Sequence, residues 1–380
     1  HLASILREQG RLPDAERLLQ DFVNQFRGMN DELYMDGVGY LADILMQRKF
    51  YTKAEMLSRK ALEEKLRVFG PHHHQVVKSM LQLASIAVSQ KLYDESEEHL
   101  RGVLSKVVDS YGADTVDSAA AYHMLAQCTY QSNRLAEAKP MLEKALVLRT
   151  RLCGPDHPAT LDTRALQAEM LVRERKFREA EVLMANIYRM RAKSYGEEHH
   201  GCLTSMGALS DLLRDMRRED DADEMERRII TVGRNLLRYT KIDKFRSLAW
   251  ITTFLSRRDH LLDKAAMFLA KAYIVFKEKL GSEHELTVMT KAQLAEIIDK
   301  VKWIGSNALE QAQIFNSSTQ FGVAEVMYKQ AYSISKLVSP ETDHKPLAQG
   351  LADALFGQGK VQEAKTIMRA AGLSRKGMKQ

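Results

Sequence analysis

A small residue returns along this chain at a nearly fixed interval: Ala15, Ala54, Ser96, Ala138, Ala180, Ala222, Ala265, Ala324 and Ala364, with successive offsets of 39, 42, 42, 42, 42, 43, 59 and 40. Glycine keeps the same register at Gly70, Gly112, Gly154 and Gly196, and Gly281 follows Ala265 at the same offset as Gly70 follows Ala54. Three residues past these glycines stand His73, His157, His199 and His284, with Thr115 as the exception. Such a period belongs to a unit too small to close its own core, which buries its apolar face against its neighbours in a row. A chain of 380 residues also exceeds what one hydrophobic core normally reaches, a ceiling that a row of repeats does not meet.

The stretch from Leu125 to Pro158 shows the unit whole. Tyr122, Leu125, Ala126 and Thr129 follow helical spacing, a polar break covers 131–134, and Ala138, Leu142, Ala145 and Leu146 resume the period. The spacing predicts two antiparallel helices, with Ala126 and Ala138 small because the backbones cross closely there. Gly154 is expected to end the second helix in a left-handed conformation, and Pro158 to open the next helix where no amide donor is needed. The same reading places hairpins at 1–26, with Gly10 ending one helix and Pro13 opening the next, and at 30–68 and 76–109. Further hairpins are expected near 204–238, over 244–280, and over 347–371 with Gly357 and Gly359 in the turn. The sixth hairpin ends in Tyr239 to Asp243 without the usual glycine, histidine or proline, so a re-angled junction is expected there.

These motifs resemble tetratricopeptide repeats of the kinesin light chain type. The likeness is carried by the Leu-Ala pair, by the alanine of the second helix, and by the loops at 154–158, 196–199 and 281–284. It implies an all-α fold, a right-handed α-solenoid of about nine hairpins, and a role in protein interaction without catalysis. The chain departs from that type where paired asparagines would stand, carrying Leu81 and Gln82, His123 and Met124, Ala165 and Leu166, and Gly207 and Ala208 instead. The expected organisation is 1–297 for repeats one to seven plus the first helix of the eighth, 298–320 for a helical insertion and loop, and 321–371 for the end of repeat eight and repeat nine. Residues 372–380 form a basic tail, with Arg375, Lys376 and Lys379, that is expected to be disordered.

Composition narrows the functional classes. No apolar run approaches the roughly 18 residues of a membrane span, and no signal peptide opens the chain. Cys128, Cys153 and Cys202 lack metal or redox spacing. A cytoplasmic location, with a cytoskeletal or ciliary association as a finer possibility, is the expectation. The chain starts at His1 inside a helix, so further residues upstream are expected. A net charge of +6 comes without a nucleic-acid recognition signature, so nucleic acid is not an expected partner. No phosphate-cradling or nucleophile motif is present, so neither catalysis nor a cofactor nor a small-molecule substrate is expected. His72, His73 and His74 raise the question of a metal, but His73 shares the repeat register, so a loop role is preferred and no metal site is assigned. The acidic run Asp94, Glu95, Glu97 and Glu98 reads as dipole compensation at a helix start, and the clusters Lys65 with Arg67, Arg149 with Arg151, and Arg189 with Arg191 and Lys193 as the same at helix ends.

In a stack of such hairpins the first helices line the concave surface. Phase from the small-residue register selects Asp43, Gln47, Lys78, Ser85, His123, Gln127, Gln131, Asp162, Glu169, Arg173, Asp211 and Arg214 as a groove for a peptide or helix of a protein partner. Near the insertion, the first helix of repeat eight is expected to continue past its normal end, with Ala308 and Ala312 on its apolar stripe and 316–320 as a polar return loop. Val301, Trp303, Ile304 and Phe315 are its candidate docking residues, its stripe being covered by the last hairpins or by another chain. The first functional expectation is a scaffold or adaptor. The alternatives are a structural subunit of a large cytoskeletal or ciliary complex, held by its outer faces, and the sensor region of a larger nucleotide-binding regulatory protein.

Overall fold

A computed structural model describes residues 1–9, 11–26, 32–239, 244–315, 318–338 and 344–373. Gly10, the junction residues 240–243, Asn316 and the tail cations Arg375, Lys376 and Lys379 lie outside these residues. Among the described residues the regular structure is entirely helical. The chain divides into two compact units, His1–Ile229 and Ile230–Gln380.

The first unit consists of α1 (Leu2–Glu8), α2 (Leu12–Gln25), α3 (Glu32–Gln47), α4 (Tyr51–Phe69), α5 (His74–Ser89), α6 (Tyr93–Tyr111), α7 (Val116–Gln131), α8 (Leu135–Cys153), α9 (Pro158–Arg173), α10 (Phe177–Tyr195), α11 (His200–Asp215) and the first half of α12 (Glu219–Tyr239). From α1 to α10 each odd helix pairs with the even helix after it, and from α3 to α9 the odd helices also touch one another, α3 to α5, α5 to α7 and α7 to α9. The small residues explain the close pairing: Ala15, Ala54, Ser96, Ala138, Ala180 and Ala222 are all fully buried, as are Ala42, Ala84, Ala126, Ala168 and Ser210 opposite them. Ser96 keeps its hydroxyl satisfied there by donating to the Ala84 carbonyl at 3.0 Å.

The loop motif builds a helix start. The backbone N–H groups of Gln75, Ala159 and Gly201 donate to Nδ1 of His73, His157 and His199 at 3.3, 3.2 and 3.1 Å. Each of these histidines is thus the N-cap of an odd helix, with the proton on Nε2. Thr115 does the same work through a capping box with Ser118. The glycines before them differ from expectation. Gly70, Gly112, Gly154 and Gly196 have φ between 79° and 100° but ψ between 159° and 169°, an extended region closed to side-chain-bearing residues rather than the left-handed helical one.

The left-handed helical residues stand in the other turn, where no glycine marks them. Lys49, Lys91, Asn133, Arg175 and Arg217, which follow one another at the period of the repeat, have φ between 59° and 64°. In each turn the following amide returns to a carbonyl of the last helical turn, as Phe50 N does to Leu45 O at 2.8 Å and Lys176 N to Leu171 O at 2.9 Å. A side chain in this conformation costs about 1–2 kcal/mol, partly offset by the greater unfolded-state freedom of glycine. Arg175→Gly should therefore raise stability by about 0.5–1 kcal/mol, read as a higher urea midpoint at constant slope. A midpoint that falls would show that Arg175 has a compensating interaction.

The second unit carries the rest of α12, α13 (Phe245–Ser256), a 3-10 turn (Asp259–Leu261), α14 (Leu262–Leu280), α15 (Glu285–Phe315), α16 (Ser318–Val338), α17 (Lys345–Gly357) and α18 (Val361–Ala370). The long helix α15 buries Thr287, Thr290, Leu294, Ile297, Val301 and Ala308. Their steps of three, four, three, four and seven are the seam of a coiled coil, and it faces α14, α16 and α17. Val301 is thus covered within the chain, Ile304 is half-buried, Trp303 is 67% exposed, and the side chains of Ala312 and Phe315 lie outside the described residues. The loop expected over 316–320 is shorter than the spacing suggests, because α16 already starts at Ser318. Phe321, Ala324, Tyr328 and Ala331, all buried, hold its helical period back to this point.

Candidate interaction groove

The face formed by α3, α5, α7 and α9 carries the residues selected from the repeat register, apart from Asp211 and Arg214, which stand on α11. A hollow of about 320 Å³ is lined by Asp36, Gly39, Asp43, Lys65, Lys78 and Gln82. Gln82 Nε2 donates to Asp43 Oδ1 and to the Gly39 carbonyl, both at 2.6 Å. Burial pushes the Asp43 pKa up, and the Gln82 bond only partly opposes it. One face further along, a hollow of about 180 Å³ is lined by Ala165, Glu169, Arg191, Thr204 and Ser205. The Glu169 pKa is also raised, by loss of hydration, against the pull of Arg173. Between the two hollows lie Ser85 and Gln127, both half-buried, and the exposed Gln47, Lys78, Gln131 and Asp162 edge the same row. Asp211 is exposed on α11.

Arg67, Arg151 and Lys193 stand in the last turns of α4, α8 and α10, as the dipole reading expects, but three cations of the same clusters reach this face from the helices behind it. Lys65, 3% exposed, donates to Gln75 Oε1 at 3.2 Å and pairs with Asp36 at 3.6 Å. Arg149 Nη1 donates to the Ala159 carbonyl at 2.7 Å and Thr163 Oγ1 at 2.8 Å. Arg191 Nη1 makes the same two bonds, to Gly201 O at 3.1 Å and Ser205 Oγ at 2.8 Å, and its Nη2 pairs with Asp162 at 2.5 Å. Spacing alone could not show this, since a long side chain leans along its helix toward the preceding turn and can thread between neighbours.

Other selected residues have internal roles. Arg173 Nη1 donates to the Tyr130 carbonyl at 2.9 Å, and its guanidinium lies 4.0 Å from the Tyr130 ring centroid. It therefore ties the start of the turn after α7 to α9 instead of standing free for a ligand. Arg214 holds Glu226 on α12 through two bonds, Nε to Oε1 at 3.2 Å and Nη2 to Oε2 at 2.9 Å, and also binds Glu219 and Asp223. His123 keeps Nδ1 buried without a hydrogen-bond partner, and burial together with the charge of Arg149 pushes its pKa down to about 3. Glu97, read from sequence as dipole compensation, instead bonds Arg101 and Arg134, joining α6 to the start of α8. In the histidine run His73 is a cap, and His72 Nδ1 lies 2.8 Å from Ser110 Oγ. Cys128 and Cys202 are buried and free.

A model of the tetratricopeptide repeat matches residues 35–105, 77–149 and 117–184. The matched stretch runs from α3 into the first half of α10 and holds the first hollow whole, while the second hollow also takes Arg191, Thr204 and Ser205 from beyond it. No curated protein matches the sequence. Among solved structures, nearly identical TPR-like repeats of a protein described as a kinesin light chain from Podosopora anserina align at 19% identity and a TM-score of 0.45, over 54% of this chain and 96% of that one. BtubC (BKLC) from P. vanneervenii aligns at 14% identity and a TM-score of 0.47, over 61% and 92%. A STAND protein with a tetratricopeptide repeat sensor from Pyrococcus horikoshii aligns at 12% identity and a TM-score of 0.44, over 96% of this chain and 54% of that one. Among the described residues no helix is long and apolar enough to cross a membrane.

Proposed function

We propose that the chain is a non-catalytic interaction scaffold whose first unit receives an extended segment of another protein along the face of α3, α5, α7 and α9. Tetratricopeptide repeats are in general protein-interaction modules. What supports the choice of face is the pair of hollows at equivalent places in the repeat, each holding a carboxylate whose pKa is raised, Asp43 and Glu169. Acids and amides that recur along the row at the register of the repeat suit the backbone and side-chain groups of an extended ligand. Gln127 and Gln131 lie between the hollows and offer both donors and acceptors.

The test is a triple variant, Gln127→Ala, Gln131→Ala and Glu169→Ala, with Arg173 left in place because of its bond to Tyr130. Helicity should be unchanged, and co-purification of a partner should fall by about tenfold or more, since a few central contacts dominate such interfaces. Retention of every partner by this variant, with loss on Val147→Glu and Val182→Glu, would transfer the function to the outer helices. Those two valines, on α8 and α10, are 64% and 62% exposed.

A further inference from the structure

The apolar faces of the hairpins do little to say which hairpin follows which, because every crossing is built on the same fully buried alanine or serine. What changes from junction to junction is a polar contact at the edge of the stack. The residue after the crossing residue of an even helix reaches the turn before the next even helix. Glu16 bonds Arg48, Glu55 accepts from Gln90 Nε2 at 3.1 Å, Glu97 bonds Arg134, and Glu181 accepts from Arg218 Nη1 at 2.7 Å. In the second unit Glu325 accepts from Gln358 at 2.8 Å and Lys360 at 2.7 Å. Each partner stands six or four residues before the next crossing residue. In all of these contacts the acid is on the even helix. One junction is inverted: Lys139 on α8 bonds Glu174 in the turn before α10, so the cation comes from the earlier hairpin and the acid from the later one.

We propose that the inverted contact is an order signal, which keeps the hairpin of α7 with α8 and the hairpin of α9 with α10 from being left out of the stack. Repeat chains misassemble when neighbouring units pair wrongly, here by looping out one hairpin and stacking the two beside it. With α9 and α10 left out, Lys139 would meet Arg218, two like charges, and the other partner place holds only Met216. With α7 and α8 left out, Glu97 would meet Glu174 in place of Arg134. Glu174 already shares its charge with Lys176, 3.2 Å away, so the change loses an ion pair and gains none. The side chains of Glu97 and Glu174 are 12% and 17% exposed, too little for water and salt to cancel the difference. Acids on every even helix would give no such choice, as Glu55 could accept Arg134 if α5 and α6 were left out. Selection of this kind comes from the repulsive contact in the wrong arrangement rather than from a stronger contact in the right one.

Two double variants of the intact chain test this. Lys139→Glu with Glu174→Lys keeps the bond and turns its polarity to that of the other junctions, whereas Lys139→Gln with Glu174→Gln removes both charges. Each chain is refolded rapidly from urea at low salt and cut briefly with a protease, and the cut sites are counted by mass spectrometry. The exchanged chain should keep the urea midpoint of the unmodified one, yet be cut within residues 116–195 at least about threefold more often after refolding. Refolding in about 1 M salt, where charges are screened within about 3 Å, should remove the excess. The neutral chain should have the lower urea midpoint and still be cut less than the exchanged chain. A bond that merely stabilises would reverse that ranking, with the neutral chain cut the more, and this result overturns the proposal. Equal cutting of the exchanged and unmodified chains also overturns it, as do cuts spread evenly along the chain. An exchanged chain that fails to reach native helicity overturns it too, since polarity would then serve the native stack itself.

Discussion

Arg214→Met should lower the stability of the first unit by about 3 kcal/mol, as expected when one partner of a buried, doubly hydrogen-bonded ion pair is removed. Glu226 is 1% exposed and receives Nε and Nη2 of Arg214 together with the Ser210 hydroxyl at 3.1 Å. A carboxylate at that depth that loses its guanidinium loses the two bonds that offset most of its lost hydration. The bonds hold Arg214 firmly, for its pKa is raised well above the ordinary arginine value, led by the Glu226 bond. Replacing both groups, Arg214→Met with Glu226→Met, should recover most of the loss, because two apolar side chains of similar volume remove the need for compensation. Urea unfolding followed by helicity measures all three chains. A double variant no more stable than the single one would show that the pair does not act as a unit.

Gly350→Ala and Gly357→Ala should each destabilise the second unit by about 2–3 kcal/mol through overpacking. A methyl group at Gly357 would lie 2.2 Å from Cε1 of Phe321, and one at Gly350 would lie 2.3 Å from Cζ of Tyr328. Both rings are nearly buried, at 7% and 5% exposure, and Tyr328 is further held by its hydroxyl, 2.8 Å from Ser306 Oγ. Neither ring can swing away without opening α16 from α15 and α17. Gly322, next to Phe321 on the same helix, has nothing within 4 Å of an added methyl. Gly322→Ala should therefore act in the opposite direction and stabilise by up to about 1 kcal/mol, the ordinary gain for a helix interior. Melting curves of the three variants check the contrast, and equal effects at Gly322 and Gly357 would contradict the packing of α16.

What was legible in the sequence is what depends on backbone geometry. The alanine and serine series marks the helix crossings because no larger group fits there, and all nine members are fully buried. The histidine series marks the helix starts because a side-chain acceptor must stand at that point. Side-chain reach was not legible. Lys65, Arg149 and Arg191 stand near helix ends like any surface cation, and only the three-dimensional stacking shows that they thread to the opposite face. Arg173 and Arg214 have groove phase, but their partners Tyr130 and Glu226 lie on other helices, beyond any local pattern. Four of the five left-handed turn residues escaped because lysine and arginine carry no turn signal, unlike Asn133, and the neighbouring Schellman bonds that enforce the conformation are made by backbone atoms. In α15 the period itself changes, from the stripe of a short hairpin helix to a heptad seam, so the register of the earlier repeats no longer locates its buried residues.

Site-specific photocrosslinking tests the central claim most directly. A benzophenone side chain is placed at position 127, on α7 between the two hollows, or at position 147, on the outward side of α8, and adducts formed with co-purified protein are identified by mass spectrometry. The groove account predicts adducts from position 127 that map to one short segment of the partner, with few or none from position 147. Adducts that form only from position 147 would contradict it.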